Sequence, residues 1–197
     1  MSDIKWMQQL IDASKRDQPA LTVELGRLHL ADNPDDRAAL MLYGRALVDL
    51  ARYDDARAAY EHALALTPTE SQVRVLRALG LLCDARCDVR EAEQHHRDAI
   101  AAAPNDASAY IFLGALLAKT GRLEEAERIH RRATDCTDGS IDEAFLNLGL
   151  VQRSRGDYVG ALESLRRALT LDPSDQCAQD ALSDIEALLF QCPPPEA

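Results

Sequence analysis

Residues 107–133 read ASAYIFLGALLAKTGRLEEAERIHRRA, two stretches of helical period either side of the turn Gly121-Arg122-Leu123. Within them Gly114 is followed at +12 by Ala126 and at +19 by Ala133. The same signature recurs three more times, as Gly44, Ala56, Ala63, then Gly80, Ala92, Ala99, then Gly149, Ala161, Ala168. Successive glycines are 36, 34 and 35 residues apart. A proline stands at +24 in three sets (Pro68, Pro104, Pro173), and Asp138 holds that place in the quoted one. A fixed period of this length marks stacked helix pairs. Such a stack presents a long concave surface rather than an enclosed catalytic pocket.

The small residues recur because two antiparallel helices approach closely only where their crossing points carry Gly or Ala. Proline ends the second helix, since it lacks an N–H and disfavours a helical residue before it. Leu40 and Tyr43, Leu76 and Leu79, Tyr110 and Leu113, and Phe145 and Leu148 precede the four glycines. The turns are Ala51-Arg52-Tyr53, Cys87-Asp88-Val89, Gly121-Arg122-Leu123 and Gly156-Asp157-Tyr158. Together these residues resemble the tetratricopeptide repeat (TPR), a helix–turn–helix unit of about 34 residues. The resemblance covers roughly residues 37–173 and implies an all-α, right-handed superhelical solenoid of antiparallel helix pairs.

The expected organisation is a single solenoid over 1–197, with repeats at 37–70, 73–106, 107–141 and 142–174. Residues 3–36 read as a degenerate N-terminal repeat. Trp6 takes the large-aromatic place and Pro34 the terminal one, but Leu10, Thr22 and His29 replace the Gly and two Ala. Pro19 can open its second helix. Residues 175–190 form an amphipathic helix with Ala178, Ala181, Leu182, Ile185, Leu188 and Leu189 on one stripe. It is read as a cap on the last repeat, the alternative being a detachable helix that competes for a groove. Residues 191–197, with Pro193-Pro194-Pro195, are expected to be a flexible tail.

A net charge of −11 and a pI near 4.8 argue against nucleic-acid binding, which needs a basic footprint, and against anionic membrane surfaces. No apolar run approaches the roughly 20 residues of a membrane span. The start Met1-Ser2-Asp3-Ile4-Lys5-Trp6 has no signal-peptide pattern. The five scattered cysteines suit a reducing compartment better than a disulfide framework. A cytoplasmic location is therefore expected. Cys83, Cys87, His95 and His96 lie close in sequence, but Cys87 falls in a turn and no CxxC or HxxxH spacing occurs, so no metal or cofactor is expected. His96 and His130 hold equivalent places, four after Ala92 and Ala126, where Tyr60 and Leu165 stand in the other repeats, and are read as packing residues. No Gly-rich phosphate loop, GxSxG or paired-carboxylate pattern is present, so an enzyme is not expected.

The candidate site is the inner surface. Relative to each glycine the core stripe runs through −4, −1, 0 and +3, and a neighbouring stripe at −6, −3, +1 and +4 turns inward. Its −3 places hold Met41, Arg77, Ile111 and Leu146, and its +1 places Arg45, Leu81, Ala115 and Leu150. Leu42, Ala78, Phe112 and Asn147 widen the strip at −2, and Arg74, Arg153 and Lys119 flank it. The result is an apolar trough with a positive rim, suited to an apolar helix or peptide bearing carboxylates. The alternative is that these residues pack against neighbouring helices. The resemblance narrows the reading. The Lys and Asn clamp of repeats that dock chaperone C-termini is missing, since the places counted from Gly44 hold Met41, Arg45, Ala78, Ser108 and Phe112. Of the asparagine ladder of some sugar-transferring enzymes only Asn147 is present. The expected function is a non-enzymatic adaptor or scaffold that binds a protein or peptide partner. The alternative is a self-assembling scaffold whose groove or end repeats mediate homo-oligomerisation.

Overall fold

The computed structural model describes residues 3–191, apart from the side chains of residues 3–5 and 70. The chain forms two compact units, Met1–Ala102 and Ala103–Ala197. The first contains α1 (Asp3–Lys15), α2 (Pro19–Asp32), α3 (Arg37–Asp49), α4 (Tyr53–Ala65), a short 3-10 turn at Thr69–Ser71, α5 (Val73–Ala85) and α6 (Val89–Ala102). The second contains α7 (Ala107–Lys119), α8 (Leu123–Thr134), α9 (Ile141–Ser154), α10 (Tyr158–Leu171) and α11 (Gln176–Gln191). Among the described residues the regular structure is all helical, apart from an isolated backbone bridge between Asp106 and Asp138. Within each unit every helix packs on its sequence neighbours. Of the tail expected at 191–197, only Gln191 is described, as the end of α11, and Cys192 and the three prolines lie outside the described residues.

Each repeat glycine is a notch for one side chain sixteen residues later. A Cβ added to Gly44 would meet the Tyr60 ring at 2.5 Å, and one added to Gly149 would meet Leu165 at 2.8 Å. At Gly80 and Gly114 the rings of His96 and His130 fill the same space. The N-terminal pair departs from this pattern, and the space at Gly26 is filled by Tyr43 of α3, 2.8 Å from an added Cβ. Leu10, fully buried, stands in the notch place of α1, and Gly26 stands in the large residue's place on α2.

The turn inside each pair is one device used five times. The residue seven after the notch place has a positive φ: Asp17 53°, Ala51 56°, Cys87 63°, Gly121 79° and Gly156 80°. The next N–H then reaches back to the carbonyl five residues earlier, as in Arg52 to Leu47 (2.8 Å), Asp88 to Cys83 (2.8 Å) and Arg122 to Leu117 (2.9 Å). This left-handed closure satisfies helix-end carbonyls that would otherwise lack donors. Several helix starts are capped by aspartates. The Asp36 carboxylate accepts from the N–H groups of Ala38 and Ala39, and Asp175 accepts from Cys177 and Ala178. Where the terminal proline is missing, Asp138 is held by backbone bonds instead, its N–H donating to Asn105 and its carbonyl accepting from Ala107.

In the first unit Val23, Leu40, Leu47, Tyr60, Val75, Leu79 and Leu82 belong to one buried cluster. The worn repeat is fastened to it by His29, whose Nε2 lies 2.9 Å from the Asp36 carboxylate. In the second unit α11 lays Ala178, Ala181 and Ile185 against Ala161, Leu165 and Ala168 of α10.

Candidate functional site

The first unit brings six candidate residues to one place. Met41, Leu42 and Arg45 of α3 and Arg74, Arg77 and Leu81 of α5 line an open groove of about 500 Å³, with Tyr60 and Ala78 also in its wall. One helical turn separates Met41 from Arg45, and another separates Arg77 from Leu81, so each helix contributes one edge. Leu81 is 45% exposed, large for a leucine, and Arg45 and Arg74 are exposed beside it. Asp49 is the acidic residue of the lining. Burial, with the Asp49 charge, pushes the Tyr60 hydroxyl up to about 12, so it stays a neutral hydrogen-bonding group.

A second hollow of about 760 Å³ adjoins this groove, sharing Met41, Leu42 and Arg74, and α1 adds Met7 and Ile11 to it. These two residues were not among the candidates. The signal for them was present, because they stand at −3 and +1 from Leu10. The worn repeat obeys the same register once Leu10 is taken as its notch position.

In the second unit the candidates are engaged in different ways. Ile111 is buried at 4% exposure, Phe112 is half-buried, and Ala115 and Lys119 are exposed on α7. On α9, Leu146 and Leu150 pack against the cluster that α10 and α11 share. The Asn147 side chain turns back to donate to the Glu143 carbonyl at 3.0 Å, and Arg153 lies 3.6 Å from Asp184 of α11. The last helix therefore takes up part of the strip that the sequence assigns to a ligand.

The cysteines and histidines group differently from their order in the chain. Cys87 is exposed in its turn, and His96 is committed to the Gly80 notch. Cys83 and His95 do converge, joined by Glu91, with donor atoms within 4.8 Å of one another. Glu91 escaped the sequence reading, although it lies one turn before His95 on α6. The Arg57 guanidinium donates to both Glu91 oxygens at 2.6 and 2.7 Å and lies 3.6 Å from Cys83 Sγ. These Arg57 bonds hold the Glu91 carboxyl down to about 2, and burial pushes the Cys83 thiol up to about 11. Among the described residues, Cys83, Cys87, Cys136 and Cys177 are free thiols.

A family model described as the cytochrome c-type biogenesis protein H TPR domain matches residues 7–138, and one described as tetratricopeptide repeat matches residues 105–174. The chain is 28% identical over 174 residues to DnaJ protein P58IPK homolog B of Oryza sativa subsp. japonica, covering 81% of this chain and 37% of that protein. It thus spans well under half the length of that relative. Among solved structures, TTC0263, a thermophilic TPR protein of Thermus thermophilus, aligns with a TM-score of 0.66 at 19% identity, covering 94% of this chain and 99% of that one. YrrB, a TPR protein described as having an unusual peptide-binding site, aligns at 0.60 and 21% identity, with 90% of each chain covered. At such identities the structural likeness speaks for the fold. No helix among the described residues is long and apolar enough to cross a membrane.

Proposed function

The chain belongs to the tetratricopeptide-repeat family, whose members generally mediate protein–protein interaction, and on that premise we propose that it is a non-enzymatic adaptor. Its ligand is an apolar segment carrying carboxylates, bound in the groove of the first unit. The observation that carries this reading is the groove itself, where an exposed Leu81 and half-buried Met41 and Leu42 are rimmed by Arg45, Arg74 and Arg77. Exposed apolar surface rimmed by charge is a common mark of a docking site. The second unit carries its own candidate strip, Phe112, Ala115 and Lys119 of α7, whereas Leu146, Asn147, Leu150 and Arg153 of α9 are secondary because α11 and their own helix already engage them. The likeness of fold to YrrB, a TPR protein with an unusual peptide-binding site, lends support. The free thiols suit a reducing compartment such as the cytoplasm.

The test is capture from a lysate of the source organism with the wild type and with Leu81→Glu/Arg74→Glu. Both positions are exposed, so circular dichroism and melting temperature are expected to stay the same while specific partners are lost. A double variant that recovers the same partners overturns the assignment. A second reading, self-assembly, is favoured by the large apolar residues exposed on the end helices: Trp6 on α1, Leu21 and Leu28 on α2, and Leu188 and Phe190 on α11. Light scattering separates the two, because only self-assembly raises the mass with concentration.

A further inference from the structure

We propose that Cys83, Glu91 and His95 form a binding site for one divalent, zinc-like cation within the first unit. Glu91 and His95 are four residues apart on α6 and so project from one face, and Cys83 reaches them from the facing helix α5. One thiol sulfur, one carboxylate oxygen and one imidazole nitrogen already lie within 4.8 Å of one another. Tetrahedral bonds of about 2.0–2.3 Å hold donors about 3.3–3.8 Å apart, so side-chain rotations that close the three by about 1 Å complete the set. Mixed sulfur, nitrogen and oxygen donors suit zinc rather than calcium or magnesium, which prefer oxygen alone. Three protein ligands leave a fourth position open.

Two further observations point to a cation. Both ring nitrogens of His95 are buried and have no hydrogen-bond partner, the Glu91 contact of Nε2 being long at 3.8 Å. A positive group also already occupies the spot, since Arg57 lies on Glu91 and close to Cys83 Sγ. Arg57 has somewhere else to go. The Glu61 carboxylate, one turn along α4, is 3.7 Å from its Nη1. On binding, the Cys83 thiol releases its proton to solvent, a metal–sulfur bond forms, and Arg57 transfers to Glu61. A divalent ion enters and one proton leaves, so the group of Arg57, Glu61, Glu91 and Cys83 goes from one net negative charge to neutral. Nothing is oxidised or reduced. The site is independent of the peptide groove, so either assignment can fail without the other.

The probe is cobalt(II), titrated into the full-length chain with zinc(II) as competitor. The expected result is one cobalt per chain, a thiolate-to-cobalt charge-transfer absorption, and its loss on adding zinc. Cys83→Ser and His95→Gln are each expected to lose that absorption. A chain with Cys87, Cys136, Cys177 and Cys192 all changed to serine is expected to keep it. Arg57→Gln removes the competing charge and should bind cobalt roughly tenfold more tightly, the scale of outer-shell effects on metal affinity. Absence of the absorption in both the wild type and Arg57→Gln overturns the proposal. So does an absorption that survives Cys83→Ser or disappears in the four-serine chain. Arg57→Gln leaves all three ligands in place, which keeps the idea falsifiable if Cys83→Ser fails to fold.

Discussion

His96 and His130 fill the notches left by Gly80 and Gly114, and each is 1% exposed. Burial pulls each imidazole down to about 4, with Asp84 partly opposing the shift at His96. An unfolded imidazole titrates near 6.5, so between about pH 6.5 and pH 4 the unfolded chain holds protons that the folded chain lacks. Their contribution is therefore complete above about pH 6.5 and is lost as the pH falls toward 4, on the order of 3 kcal/mol for each ring. Melting temperature should drop steeply over that window. The double variant His96→Leu/His130→Leu should flatten the drop, because Leu165 already fills the equivalent place beside Gly149. Thermal melts at pH 7 and pH 4.5 decide the matter, and a variant with the wild-type slope would clear both histidines of the effect. A second residue-scale prediction concerns the left-handed turn position, which costs a non-glycine residue about 1–2 kcal/mol, partly offset by the entropy of glycine. Cys87→Gly at φ 63° is expected to raise stability by roughly 0.5–1 kcal/mol in urea denaturation, and a loss would show that this turn is not strained.

The last helix shows what one element contributes. α11 buries Ala178, Ala181 and Ile185 on α10, and Arg166 pairs with Glu186 at 2.8 Å across the same contact. Burying one large aliphatic side chain is worth about 1.5–3 kcal/mol, whereas an exposed ion pair adds at most about 1. A chain ending after Pro173 should therefore lose several kcal/mol of unfolding free energy or aggregate. If it remains soluble with the same melting temperature, α11 is a detachable helix rather than a cap. The elements themselves were legible in the sequence, because a registered Gly, Ala and Pro pattern fixes both helices and the turn between them. Harder to read was which inward residues stay available. Leu81 and Leu150 hold the same +1 place, yet Leu81 is 45% exposed while Leu150 packs beside α11. A periodic sequence cannot express that difference, since it depends on what lies next to each repeat. The convergence of Cys83 with Glu91 and His95 was hidden for the same reason, as it joins two helices through a turn whose geometry the spacing does not reveal.

At the scale of the molecule, net charge and local charge run opposite ways. The chain carries −11 overall, yet the groove of the first unit holds Arg45, Arg74 and Arg77 against a single Asp49. Partner binding should weaken as salt is added, because rim charges are screened within about 8–10 Å at ordinary ionic strength, and should level off at a residual carried by the apolar floor. Isothermal titration with a captured partner across a salt series checks this, and an affinity that ignores salt would remove the arginines from the interface. Chain assembly adds one more constraint, through the first pair, where Leu10 stands in the notch place and the space at Gly26 is taken by Tyr43 of α3. The opening pair is therefore unfinished on its own: as the chain leaves the ribosome, α1 and α2 wait for α3 to bring Tyr43 before the hollow at Gly26 is filled.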